Sequence, residues 1–452
     1  MVGKIKHILQ EKNIQSLAGN MLTAGFGFLN FILLARTFDK DVFGEWILYL
    51  TAATFVEMFR FGITRTALIR FLAGANKEEE KKLIGSNWLI GLVTTVLIAI
   101  ILYAILGIFP QQIENSGFSL FFQWYPILAF LNLPFNNALT ILQAKQEFDK
   151  IFVVKFLNSG LFFIGLFINF MWLQRPLVEI IWFHLGISLV VSIITSLANW
   201  DGIKYLKHAD KATNKTILNF GKYTTITLIG TNLLKSADTF IIALSPLGVT
   251  AVALYSIPLK LTEVLQIPLR SFVATAFPKM SKASIQNDLK MVRYYFYSYS
   301  GSITIMFIPI VLAGFFFSDI FILILGGEKY LGIDPATGAN ASHIFKIFAI
   351  YGLLLPIDRL TGVGLDSINK PKKNFYKIIF MVVANIIGDL IAVFIFKSLF
   401  AVAIATIVFT VIGMLVGYYY LNKELDLKFR LIWIEGWKVY ALKINQLLLK
   451  GK

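Results

Sequence analysis

The chain contains no cysteine. Disulfide bonds, thiolate catalysis and cysteine-based metal sites are therefore excluded. Histidine is scarce: His7, His184, His208 and His343 are the only four. A phosphate-binding loop is also missing, because Gly221-Lys222 is followed by Tyr223 and has no glycine five residues earlier. ATP-driven pumping by this chain alone is thus not expected. His-Glu-x-x-His and Gly-x-Ser-x-Gly do not occur either, which removes two common hydrolytic centres. Charge is sparse at 15% of residues, and no connection between the apolar stretches is long enough to fold as a separate soluble domain.

What the chain has instead is apolar length. Hydrophobic residues make up 57% of it, more apolar surface than a soluble domain of this size could cover. Twelve stretches reach the ~20 residues needed to cross a hydrocarbon core. They run over 14–37, 42–61, 84–109, 118–142, 151–173, 178–200, 217–244, 248–277, 294–317, 341–365, 375–396 and 399–421. Backbone groups in lipid must bond internally, so these are expected to be helices. The short alternating segments of a β-barrel are not seen.

The segments between the spans alternate in charge. Of 42 Lys and Arg residues, 30 lie on one side and five on the other, Arg36, Lys40, Arg175, Lys329 and Lys397. Cationic loops stay cytoplasmic, so both termini are placed in the cytoplasm. The formal charge of +16 is read as topology and anionic lipid contact, not nucleic-acid binding. The first span is long and has no small-residue cleavage site, and is read as a retained helix.

The expected fold is an all-α polytopic membrane protein with twelve transmembrane helices in two six-helix bundles. The bundles are assigned to 1–212 and 213–424, and a cytoplasmic amphipathic tail to 425–452. A faint repeat at an offset near 210 supports the halves: Arg60 matches Arg270, and Leu133-Pro134 matches Leu355-Pro356. Six helices per half is even, so the halves share an orientation. Within the tail, Trp433, Trp437, Tyr440, Ile444 and Leu447 form a stripe at helical spacing. Residues 429–449 are read as a helix lying at the membrane interface; the alternative is a thirteenth span. The charge run 76–82 is read as a solvated loop.

Several short stretches carry a family resemblance. They are Leu34-Ala35-Arg36 through Phe43-Gly44-Glu45-Trp46, Phe61-Gly62, Ser236 to Ile242, Gly248 to Tyr255, Phe277-Pro278-Lys279-Met280-Ser281 and Gly326-Gly327-Glu328-Lys329-Tyr330. In this order and spacing, over nearly the whole chain, the sequence resembles the Wzx-type polysaccharide flippases of the multidrug/oligosaccharidyl-lipid/polysaccharide exporter superfamily. The resemblance implies a pair of six-helix lobes that moves undecaprenyl-diphosphate-linked oligosaccharide, an O-antigen or exopolysaccharide repeat unit, across the bacterial cytoplasmic (inner) membrane. It implies no enzyme activity, and polysaccharide polymerase and other assembly proteins as partners. Two other readings compete. A multidrug cation antiporter of the same superfamily would want an acidic aromatic pocket. A membrane-embedded polymerase or glycosyltransferase would want a sizeable outer loop, and 318–340 is too short for one.

Ionisable groups at membrane depth cost ~2.5–3.5 kcal/mol and point to function by default. Lys222 and Lys346 lie near span ends and can snorkel. Arg60, Lys235, Lys260, Arg270 and Arg359 remain. Guanidinium binds phosphate oxygens bidentately and lysine supplies a point charge, so these five are the expected holders of the lipid diphosphate. Neutralising Arg60 or Arg270 is expected to abolish function while membrane abundance stays intact. The bland alternative is internal ion pairing. Glu57 and Arg60, and Lys235 and Asp238, stand three apart and share a helix face. Glu263 and Arg270 stand two turns apart, with Lys260 nearby and Pro258 and Pro268 interrupting the span. The carboxylates Glu57, Asp238, Glu263, Asp358 and Asp389 are candidates for coupling to Na+ or H+. Asp389 has no cation within a turn; a protonated carboxyl bonded to a neighbouring helix is its alternative role. No other cofactor is expected. His184, inside a span, is read as a hydrogen-bonded core residue.

Overall fold

The computed structural model describes residues 12–72 and 74–450; the side chains of 12–18, 223, 224, 226, 227, 231, 234, 235 and 443–450 lie outside the described set. The chain is all-helical among the described residues. Its contacts divide it into two compact units, Met1–Leu233 and Leu234–Lys452.

The first unit contains α1 (Lys12–Thr37), α2 (Lys40–Gly62), α3 (Arg65–Leu72), α4 (Lys77–Ile108), α5 (Pro110–Asn115), α6 (Ser119–Leu131), α7 (Leu133–Ala144), α8 (Phe148–Lys155), α9 (Leu161–Ile168) and α10 (Leu177–Leu197). Helix α11 (Lys211–Ala243) begins there and ends in the second unit. The second unit continues with α12 (Gly248–Ile285), α13 (Leu289–Phe316), α14 (Ser318–Gly326), α15 (Ala341–Ser367), α16 (Pro371–Leu390), α17 (Leu399–Leu425) and α18 (Phe429–Lys450).

Among the described residues, eight helical stretches are long and apolar enough to cross a membrane, or nine if α6 and α7, bent by 51°, form one span. The protein is therefore a multi-pass membrane protein. The 118–142 stretch is broken at Asn132 because Pro134 cannot donate to the helical ladder and the chain turns there. Proline does not break the second unit in the same way. Pro258, Pro268 and Pro278 all lie inside the continuous 38-residue α12, and Pro356 lies inside α15. The expected interruption of span 248–277 is thus absent.

The charge run 76–82 is not a loop. It forms the first turns of α4, fixed by a capping box: Asn76 Oδ1 accepts from the Glu78 and Glu79 amides at 3.0 Å each, and Glu79 Oε2 accepts from the Asn76 amide at 3.0 Å. The Asn-x-x-Glu spacing carried that signal. Asp210 caps α11 similarly through the Ala212 and Thr213 amides. The Thr213 hydroxyl and amide hold its carboxyl below the usual carboxylate range.

In the tail, α18 packs along α13. Its docked face is centred on Ile432 and Gly436. Trp433 and Trp437 of the expected stripe are exposed, and Tyr440, two turns from Trp433, sits at the edge between them and the docked face. Tyr440 donates to the Ser302 carbonyl at 2.7 Å, and the Lys428 amide donates to Tyr297 at 2.7 Å. Arg430, Glu435, Lys438 and Lys443 divide the apolar run of α18, which is not among the helices apolar enough to span. The two backbones meet at glycines: a Cβ on Gly301 would sit 1.9 Å from the Ile432 carbonyl oxygen. Gly301→Leu is therefore expected to undock the tail. Limited proteolysis within 428–450 should accelerate by roughly tenfold or more, since loss of ~1.4 kcal/mol of docking already gives that factor.

Candidate functional site

The sequence put Glu57 and Arg60 on one face of α2, and they pair there. Arg60 is fully buried. Its Nη1 donates to Glu57 Oε1 and, at 3.1 Å, to Asn132 Oδ1. Its Nε donates to Thr95 Oγ1 of α4 at 3.1 Å, and its Nη2 to the Ala129 carbonyl at 2.5 Å. Tyr125 and Asn132 also donate to Glu57 Oε1, at 2.8 and 3.3 Å. The α6–α7 bend leaves the Ala129 carbonyl without its helical donor, and the guanidinium supplies one. Arg60 thus ties α2, α4 and the bent pair together. All three of its nitrogens are committed inside this unit.

The second unit holds a different cluster. Asp238 of α11 and Asp389 of α16 are buried. Asn385, one turn before Asp389, donates to both: to Asp238 Oδ1 at 3.0 Å and to Asp389 Oδ2 at 3.0 Å. Tyr255 of α12 donates to Asp238 Oδ2 at 2.7 Å, and Thr406 Oγ1 of α17 lies 3.4 Å from the same hydroxyl. Asp389 Oδ1 and Asn385 Oδ1 are buried without a hydrogen-bond donor among the described residues. Two carboxylates enclosed this way do not both stay charged without a shared proton or a bound cation. Every ligand atom on offer is a hard oxygen, which suits Na+ better than a soft metal. Among the described residues no group of three or more His, Asp or Glu could hold a metal ion.

Asp358 makes a separate pair. It meets Lys377 Nζ at 2.6 Å, and Lys377 also donates to the Asp358 carbonyl at 2.5 Å and to Thr361 Oγ1 at 3.2 Å. Lys377, counted from sequence among cytoplasmic cations, is buried in the helix packing. On α12, Lys260 pairs with Glu263 at 2.8 Å, so Glu263 faces Lys260 and not Arg270. Arg270 and Arg359 are exposed, and no ion pair reaches either among the described residues. The Lys235 side chain lies outside the described residues.

One unit thus holds a buried ion-pair hub and the other a buried carboxylate pair. The pattern of the family described as "Polysaccharide biosynthesis protein" matches residues 10–284. The chain belongs to this family. It is similar to the probable low-salt glycan biosynthesis flippase Agl15 of Haloferax volcanii, at 23% identity over 256 residues, 55% of this chain and 51% of that protein. The chain spans about half the length of that curated relative. Among solved structures it is similar to an inward-facing multidrug resistance MATE family transporter of the MOP superfamily, with TM-score 0.73, 16% identity, and coverage of 92% of this chain and 98% of that one. It is also similar to the lipid II flippase MurJ in an inward closed conformation, with TM-score 0.71, 16% identity, and coverage of 96% and 93%. These similarities establish the fold. By their names, these three relatives are a probable flippase, a transporter and a flippase.

In this polysaccharide biosynthesis family member, sequence reasoning missed Tyr125, Asn132, Thr95, Asn385, Tyr255 and Lys377. Two had a signal. Asn385 stands four residues before Asp389, one turn away on the same face. Lys377 sits six residues inside a helix started by Pro371, too far in to count as a loop residue. The remaining four are neutral and sit on other helices, so no charge rule selects them.

Proposed function

We propose that this protein translocates a lipid-diphosphate-linked oligosaccharide, an O-antigen or exopolysaccharide repeat unit, across the bacterial cytoplasmic membrane by alternating access. In this reading twelve helices span the membrane in two six-helix bundles, with both termini cytoplasmic, α18 at the interface and polysaccharide polymerase as a downstream partner. The observation that carries the reading is family membership over 10–284, joined to two exposed guanidinium groups, Arg270 on α12 and Arg359 on the adjacent α15. Neither has an ion-pair partner among the described residues, which is what phosphate capture requires. Lys260 and Lys235 add charge on α12 and α11. Arg60 contributes by holding the first unit in shape, since its donors already have acceptors.

Translocation is coupled, in this proposal, to Na+ or H+ bound between Asp238 and Asp389, with Asn385 and Thr406 as further oxygen ligands. Glu57 and Asp358 serve their ion pairs, with Arg60 and Lys377, and Glu263 serves Lys260.

Arg270→Ala and Arg359→Ala test the diphosphate reading. A charge-assisted hydrogen bond contributes ~1.5–3 kcal/mol, so each variant should lower transport roughly tenfold or more in a flippase-deficient strain, with membrane abundance near wild type. Full complementation by both variants would sink the assignment.

A further inference from the structure

The first unit carries an open cavity of about 510 Å³, within the range of pockets that hold small organic ligands. It is lined on its polar side by Glu57, Asn132, Asn136, Asn158, His184 and Ser188. Apolar side chains, among them Leu50, Phe61, Leu128 and Phe135, form the rest.

The charge balance of this lining decides what fits. Glu57 is neutralised by Arg60. Arg65, the one lining cation, donates to Gln143 Oε1 at 3.0 Å. The remaining polar groups are amides, hydroxyls and an imidazole, so neither a diphosphate nor a cation is strongly favoured. What the lining offers is unmet hydrogen-bonding capacity. Asn158 Oδ1 and His184 Nδ1 are buried with no partner among the described residues, and a side-chain rotation turns either toward a ligand. All three donors on Glu57 converge on Oε1, leaving Oε2 without any of them. Asn158 sits in a π-helical turn, Phe156–Gly160, a local widening that recurs at functional sites. Acceptors next to apolar walls suit a ligand with several hydroxyl donors and apolar C–H faces.

We infer that this cavity is a subsite for one or two uncharged sugar rings. The inference rests on the flippase reading and names the part of the cargo that enters the first unit.

The test uses the full-length purified protein in detergent and two probes, undecaprenyl diphosphate and the same lipid bearing one neutral hexose. Wild type should bind the sugar-bearing lipid about fivefold more tightly, the gain expected from one or two neutral hydrogen bonds. Asn158→Leu, which removes the amide at similar size, and Thr54→Trp, which fills the cavity from its exposed lining, should each bring that ratio to about one without changing affinity for the bare lipid. A ratio that persists in both folded variants, or is absent from wild type, overturns the subsite alone. If wild type binds neither lipid, the flippase reading falls and the subsite with it. If the variants lose ethidium affinity while the sugar ratio stays, the cavity takes cationic drugs and the inference is wrong.

Discussion

Arg60→Ala is expected to deplete folded protein, not only transport. Truncation leaves the Glu57 carboxylate, whose side chain is 23% exposed, with only Tyr125 and Asn132 as donors, and removes the donor to the Asn132 side-chain oxygen and to the Ala129 carbonyl. Removing one partner of a buried ion pair typically costs ~3–5 kcal/mol, because the other charge remains without compensation. That is a large fraction of the ~5–15 kcal/mol holding a typical domain together. Sequence alone led to the opposite expectation, intact abundance with lost function. The two are separated by the thermal midpoint of the purified variant and its membrane abundance. A wild-type midpoint for Arg60→Ala would rule out the hub. The double variant Glu57→Gln with Arg60→Met removes both charges and should regain much of the lost midpoint, since a neutral pair of similar volume leaves no stranded charge.

Asp389→Asn carries the second large effect. The change keeps the size of the side chain and removes its charge from a fully buried position. With the carboxylate pair reduced to Asp238 alone, the site loses both its shared-proton capacity and half its charge for a cation. Coupling between two ligands is typically ~1–3 kcal/mol, or roughly 5–150-fold. Ion-driven transport in proteoliposomes should therefore fall by about tenfold or more. The residual rate should no longer respond to sodium or to an ionophore, and the thermal midpoint should stay near wild type. Asp238→Asn should behave alike, because Asn385 bridges the two residues. Retained ion dependence in both variants would place coupling elsewhere. Asp358→Asn gives the contrast: it strands Lys377 and should lower the midpoint.

Much of the architecture was legible because lipid imposes severe rules. A span must be helical and about 20 residues long, so apolar runs read directly as α2, α4, α10, α12, α13 and α17. The 118–142 stretch, read as one span, bends at Asn132 beside Leu133-Pro134, whereas the matching Leu355-Pro356 leaves α15 unbroken. A proline states that one hydrogen bond is missing, and only the neighbours decide whether the chain turns. The tail shows the same division. Its helix was evident, whereas its docked face depended on Gly301 meeting Gly436, two residues that carry no side chain to read.

By itself the sequence settled which residues share a helix face. Glu57 with Arg60 follows from the 3.6-residue period alone, and the pair forms; Glu263, read against Arg270, pairs with Lys260 instead. Tertiary structure alone decided that Arg60 reaches Thr95 and Ala129, that Lys377 finds Asp358, and that Asn385 bridges Asp238 and Asp389. The reason is physical. In water an apolar stripe marks the side of a helix that meets its neighbour. In a bilayer the lipid is as apolar as the core, so both faces of a span look alike in sequence. Which helix opposes which is then fixed by close packing and hydrogen bonds, properties of the assembled helices that no single one encodes.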